Sequence, residues 1–487
     1  HPLVVLAIVL SILKIWLTLS FRLRGAGNAN IDDRLFLVLA EHLIAGDWLG
    51  PYTHVTLVKG PFFSIWIAFC FYAHIPLLIS YQLLHLFASA VMVLSLRKVV
   101  RHTGLLVGIY LVLIFDPATY SDVATMVSRE GIYASLVLLV LACLIGVCSR
   151  SQEPLHRLAP WSIGLGLALA AFWTTREEGI WLMPTTILLL GYALVRIVYS
   201  TRPRKLVAGA LLALPLVIWS AGLYALCQTN DRHYGIFNSV EMKNRAFKRA
   251  NGALMRVTHQ DPHPYSSVPR ETRMRIYEVS PAFAELQPLL EGPLGQNWGA
   301  IAEKRLPEES ARPADIRGGW FVWALRAAAD RRGYHESAET AEAYYSRMAD
   351  EIDAACADGR LDCGAQRASL APPWRMAYAP ALLASIGRAS WQTIAWSDVR
   401  FGTFPTVGPP EGVRIFEDLT RTRLTPRPNQ QESLTHQARL DELRMRVLAS
   451  FKRPYQLVFP AAAVIACLLF AMSAGIDIKR RKISLPA

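Results

Sequence analysis

The sequence lacks the glycine-rich loops that cradle nucleotide phosphates. Neither G-x-G-x-x-G opening a helix nor G-x-x-x-x-G-K-[ST] occurs in its 487 residues. That argues against an ATP-driven transporter and against a nucleotide-sugar enzyme with a Rossmann half. No nucleic-acid-binding signature and no solenoid repeat is present. Charge is sparse, at 18% of residues. His42, His54 and His74 are scattered and make no metal site. Cysteine is scarce too: of seven, Cys70, Cys143, Cys148 and Cys467 lie in apolar runs as inert small hydrophobes, and Cys227 stands at the edge of one. Cys356 and Cys363, in CADGRLDC, are close enough for a local disulfide in an oxidising compartment. Spacing alone leaves bonded and free thiols equally open. No His or further Cys partners them at zinc-ligand spacing.

What the sequence does have is apolar length. Hydrophobic residues make up 53% of the chain and the mean hydropathy is +0.26. Apolar runs recur at 3–20, 62–79, 81–96, 105–115, 132–147, 161–173, 180–198, 206–227 and 456–474, whereas 228–455 reads as an ordinary soluble segment. A bilayer core takes about 20 apolar residues per helix. The pattern predicts a mainly α, polytopic transmembrane bundle over 1–227, an α-rich mixed soluble domain over 228–455, and a last membrane helix with a basic tail over 456–487. The shorter runs, 105–115 above all, read as tilted, broken or partly inserted. No small-residue cleavage site follows the first run, so it is not a signal peptide. A start at His1 and a single late apolar run read as a piece of a longer chain.

The net charge of +13 fits cytoplasmic loops of a membrane protein, or phosphate-bearing lipids, better than nucleic acid. Basic clusters fall at Arg97, Lys98 and Arg101, at Arg150 and Arg157, at Arg196, Arg202, Arg204 and Lys205, and at Lys479, Arg480, Arg481 and Lys482. If all are cytoplasmic, 116–130, 174–179 and 228–455 lie outside. The front end conflicts with this. Were 62–79 and 81–96 both to cross, a first loop carrying Asp32 and Asp33 could not share that outer face. His74 and Pro76 interrupt the first run, so the crossing number stays open by one, and one face for all acidic loops is favoured.

Within 228–455, residues 338–358 have helical spacing, with Ala341, Tyr344, Tyr345, Met348 and Ile352 on one side. Residues 317–331 read as a helix anchored by Trp320, Trp323 and Leu325. Residues 391–400 and 405–410 read as turns and short pieces, and 417–437 as a polar, proline-containing linker.

The polar stretch 27–60 is the first break in the apolar pattern, and it carries Asp32, Asp33 and Lys59. Sugar transfer from a lipid phosphate needs a carboxylate that takes the acceptor's proton. It also needs cations, preferably Arg, on the departing phosphate. Asp32 and Asp33 supply the acids. Lys59, Arg129 and Arg176 supply charge at helix ends. Glu130, Glu177, Glu178, Asp122 and Asp116 supply further acids. Each has a plainer reading. The Asp pair could cap a helix, the Arg-Glu pairs could be salt bridges at helix ends, and Lys59 could snorkel before Gly60-Pro61. An Asp pair can also hold a divalent ion with water and phosphate; the sequence identifies no metal.

The stretch IDDRLFLVLAEHLIAGDWLGPYTHVTLVKGP, with KGPFF opening the next apolar run and Arg-Glu loops later, resembles the GT-C superfamily of membrane glycosyltransferases. The likeness is to its protein O-mannosyltransferase and aminoarabinose-transferase group. It covers roughly the first half of the chain. No W-W-D-type motif occurs in 228–455, unlike oligosaccharyltransferases. The resemblance implies a GT-C-like bundle and an inverting enzyme that uses a polyprenyl-phosphate or polyprenyl-diphosphate sugar. It implies a site on the extracytoplasmic face of a bacterial inner membrane and a first-loop acid as base, carried onto Asp32 with Asp33 close behind. The acceptor would be a glycan, lipid or protein of the cell envelope. The alternatives are a lipid-linked sugar transporter or flippase, an O-antigen ligase or polymerase, and a non-catalytic envelope protein.

Overall fold

The computed structural model describes residues 2–200, 205–259, 266–305, 315–371, 373–402, 404–428, 430 and 436–483. Among them the chain is mainly helical, with isolated bridges and no named strand. Seven helical stretches are long and apolar enough to cross a membrane: Leu77–Leu96, Thr103–Tyr120, Glu130–Arg150, Leu155–Thr175, Gly179–Val198, Lys205–Tyr234 and His436–Met472. These make the chain a membrane protein. Helix α1 (Pro2–Thr18) is as apolar but has 17 residues, about 25 Å at 1.5 Å per residue.

The first loop leads into α2 (Asp33–Ile44), which buries Leu35, Phe36, Leu37, Leu39 and Ala40. Helix α3 (Phe62–Tyr72) has only 11 residues, about 16 Å against a hydrocarbon core of about 30 Å. It ends at Tyr72 with Ala73 as its cap, His74 turns left-handed at φ 55°, and Ile75 precedes a proline, which disfavours helix. Pro76 then opens α4 (Leu77–Leu96). The run at 62–79 is therefore a short helix and a break. At 11 residues α3 falls short of the length a simple spanning helix needs.

Helices α5 (Thr103–Ile114), α6 (Glu130–Arg150), α7 (Leu155–Thr175), α8 (Met183–Val198) and α9 (Lys205–Tyr234) complete the bundle. The most extensive packing is of α6 on α4 and α7, and of α9 on α7. Close approach needs small residues: a Cβ on Gly131 would stand 2.3 Å from the Tyr81 ring. The loops sort to two ends. At one end, Lys14 of α1 donates to Thr119, and the N–H of Arg24 to the carbonyl of Thr125. At the other, Arg150 donates to the carbonyls of Leu94 and Ser95, and Lys98 pairs with Glu153.

After α9, which runs past residue 227 to Tyr234, a second core forms. It is built on α10 (Arg245–Arg256), α11 (Trp320–Arg331) and α12 (Ala338–Ala357). Phe247, Leu254, Phe321, Leu325, Tyr345, Met348 and Ile352 fill it. The face of α12 is the one its spacing implies. Helix α11 starts at Trp320 rather than 317, because Gly318 takes φ 59°. Cys356 and Cys363 are bonded to each other.

Two expectations for 228–455 are corrected. Residues 391–395 are not turns: they end α13 (Ala379–Ala395), a helix with no buried residue. It packs on α16 (Lys452–Ile483), and Trp396 stacks edge-on against Tyr455 and Phe459. Nor is 417–437 a free linker. Its start belongs to α14 (Pro410–Thr420). Beyond that, the N–H of Leu23 donates to Arg423 (2.8 Å) and that of Thr425 to Leu23 (2.9 Å). The buried backbone of the first loop needs partners, and this segment supplies them. Residues 429 and 431–435 of the linker lie outside the described residues. Helix α15 (His436–Ser450) packs on α1.

Candidate active site

Asp32 holds the N-cap position of α2, where an Asp side chain ordinarily accepts a backbone N–H. Here it makes no capping bond. Its carboxylate pairs with Lys59 instead, and it is 65% exposed while Lys59 is 8% exposed. A buried ammonium thus anchors an acid that faces open space. Asp33 begins α2 and is buried. Its Oδ2 is enclosed without a hydrogen-bond partner. Burial, and then the charge of Asp32, push its carboxyl up to about 6, against the pull of Arg24 and Lys59.

The helix-end charges converge on the same place. Lys59 lies 5.1 Å from the centre of the Phe36 ring and Arg129 lies 5.6 Å from it, so α2 presents one aromatic ring to two cations. Arg129 donates to the carbonyl of Thr175 at 3.2 Å. Arg176 pairs with Glu130 at 2.6 Å and lies 5.2 Å over Tyr133. Glu130 also accepts from Ser128. The first loop and the last turn of α7 meet at the backbone: a Cβ on Gly60 would fall 2.0 Å from the carbonyl oxygen of Thr174. A cavity of about 250 Å³ runs from Glu130 into the bundle along Tyr81, Gln82, His85, Asp116 and Ser135.

The remaining acids sort differently. Asp122 accepts from the N–H of Val123 and its own N–H donates to Arg400, so it holds a turn and a chain crossing. Asp116 caps the turn at Pro117–Tyr120. The backbone of Glu177 and Glu178 opens the turn after Arg176, and their side chains lie outside the description. His42 pairs with Asp47 and His54 with Asp330. Among the described residues no three His, Cys, Asp or Glu side chains gather as metal ligands.

Several residues here were not read from the sequence as part of this site. Trp323 of α11 lies 5.9 Å from Lys59, and Lys243 lies 5.6 Å over Trp173, just before Arg176. Arg326, fully buried on α11, donates to the carbonyl of His54 (2.9 and 2.7 Å) and to Glu241 (2.8 Å). Tyr52 donates to the same Glu241 (2.8 Å), whose N–H donates to Leu57 (2.7 Å). This network fastens 52–57, and so Lys59, to the second core. The one signal for it was a lone Arg within the apolar stretch WFVWALRAAA.

An exposed carboxylate set on a buried cation can take a proton from a hydroxyl. Guanidinium groups at helix ends suit a phosphate. Compared with family models, with curated proteins and with solved structures, the chain matches none.

Proposed function

We propose that the protein is a GT-C-like membrane glycosyltransferase that moves a sugar from a polyprenyl-phosphate donor to an acceptor hydroxyl. The supporting observation is that exposed Asp32, buried Lys59 and the Arg129 and Arg176 loops meet at one end of the bundle. Asp32 takes the acceptor's proton as its oxygen attacks the anomeric carbon. The bond from that carbon to the phosphate oxygen breaks, and the polyprenyl phosphate leaves with the electron pair. Lys59, Arg129 and Arg176 hold the charge that develops there, and the sugar inverts. In this reading α3, at 11 residues, does not cross, the acidic loops and 228–455 share the extracytoplasmic face of a bacterial inner membrane, and the basic clusters face the cytoplasm. The acceptor class is an envelope glycan, lipid or protein.

The test is transfer by the purified protein, given polyprenyl-phosphate sugars and candidate acceptors. Asp32→Asn should lower the rate by roughly 10²- to 10⁴-fold, the usual worth of a positioned base, with normal extraction and melting. Full activity in both Asp32→Asn and Asp33→Asn would remove the role given to this loop. Translocation of a labelled lipid-linked sugar across vesicles, without transfer, would establish the flippase instead.

A further inference from the structure

A second basic site lies at the same end of the bundle and shares none of the residues above. A cavity of about 380 Å³ is lined by Arg22, Arg421, Arg423 and Arg444, within the size range of small-molecule sites. Among the described residues lining it, Asp441 is the one carboxylate. The four arginines come from separate places: the end of α1, the turn after α14, the strand-like piece beyond it, and α15. Such a set is not a by-product of one helix face.

Arg444 shows that the site is built. Its side chain is 9% exposed, it reaches Asp441 at 3.2 Å, and it lies 4.3 Å over Trp16. Its Nε is enclosed with no hydrogen-bond partner. A donor left unpaired in that way costs free energy unless an acceptor arrives. Arg421 follows α14 in the left-handed region at φ 52°, a position that usually goes to glycine. Its guanidinium lies 5.0 Å over Phe71 of α3.

The apolar side of the cavity identifies the ligand's other half. Leu19, Pro76, Leu78 and Ile79 line it. Trp16 of α1, under Arg444, is 42% exposed and Leu19, just past the end of α1, is 54% exposed, and α4 exposes Leu83 and Phe87. Arginines above and apolar helix ends below match a phosphate with acyl chains attached. We propose that this cavity binds the phosphate headgroup of an anionic membrane lipid. It does not depend on the transferase reading.

Native mass spectrometry of the full chain, titrated with dioleoyl phosphatidylglycerol and separately with the phosphatidylcholine analogue, tests it. Arg421 and Arg423 are exposed, so the double variant Arg421→Gln/Arg423→Gln keeps the fold. It should weaken phosphatidylglycerol binding at least tenfold. Arg414→Gln/Arg427→Gln, with the same loss of charge outside the cavity, should change it less than twofold. Equal losses in both variants, or none in the first, would overturn the site. Inorganic phosphate should displace the anionic lipid only at far higher concentration. If it binds as tightly as the lipid, the site takes a soluble phosphate and the lipid assignment fails. Equal affinity for the phosphatidylcholine analogue would overturn selection by charge.

Discussion

The two ends of the bundle use the same residue types to different effect. At the basic end the cations are spent on the bundle itself. Arg150 donates to Leu94 and Ser95 and lies 4.4 Å over Trp161, Arg196 donates to Cys148, and Lys205 to Val198. These are carbonyls at helix C-termini, where positive charge offsets the macrodipole. At the acidic end Lys59 and Arg176 meet carboxylates that face outward: Asp32 is 65% and Glu130 is 45% exposed, and Arg129 beside them donates to the helix-end carbonyl of Thr175. Cations that only close helix ends are structural, and cations that stand among open acids are available to a ligand. The positive charge of the sequence therefore has two meanings, told apart by the surroundings of each Arg or Lys.

The comparison can be broken by variants at each end. The largest effect should come from the clamp behind the acidic end. Arg326→Ala leaves the buried carboxylate of Glu241 without its cation, with Tyr52 as its remaining side-chain donor, and should cost about 3–5 kcal/mol of stability. A fall in the thermal midpoint of only a degree or two would show the clamp to be idle. Next is Arg176→Gln, set against Arg196→Gln. Removing a charge from the departing phosphate should lower kcat/KM for sugar transfer roughly 10²- to 10³-fold, while the basic-end variant stays within about twofold. Equal losses would erase the distinction between the ends.

The smallest effect is set by pH. The carboxyl of Asp33 titrates near 6, above the ordinary 3.8, so folding favours its neutral form. That contribution is complete below about pH 4 and is lost as pH rises through 6. Asp33→Asn does not ionise, so it should be more stable than the parent at pH 7.5 by at most about 3 kcal/mol. The advantage should vanish by pH 4. Thermal midpoints of both proteins from pH 4 to 8 measure it, and a gap that is flat across that range would mean Asp33 is not a strained acid.

Much of this was legible in the sequence, and the reason is local. Apolar runs report membrane helices without reference to the rest of the chain, and acids and cations at the run ends fall at helix ends by construction. The break at His74 and Pro76 could be seen, but not that α3 would pack against α2 and α14. What could not be read is whatever joins distant segments. Arg326 reaches His54, and Arg423 reaches Leu23, through contacts that leave no period in either stretch. Helix α13 escaped because Gly387, Ser385 and Thr393 dilute its apolar pattern, and no core face forces it to repeat.

One contact in the acidic end has a consequence for how the chain can change over time. Gly60 and Thr174 touch backbone to backbone, closer than any side chain would permit. A single methyl group at residue 60 would act as a wedge, parting the loop that holds Lys59 from the loop that holds Arg176 while altering no charge. The residue with no chemistry of its own sets how closely the two segments can meet.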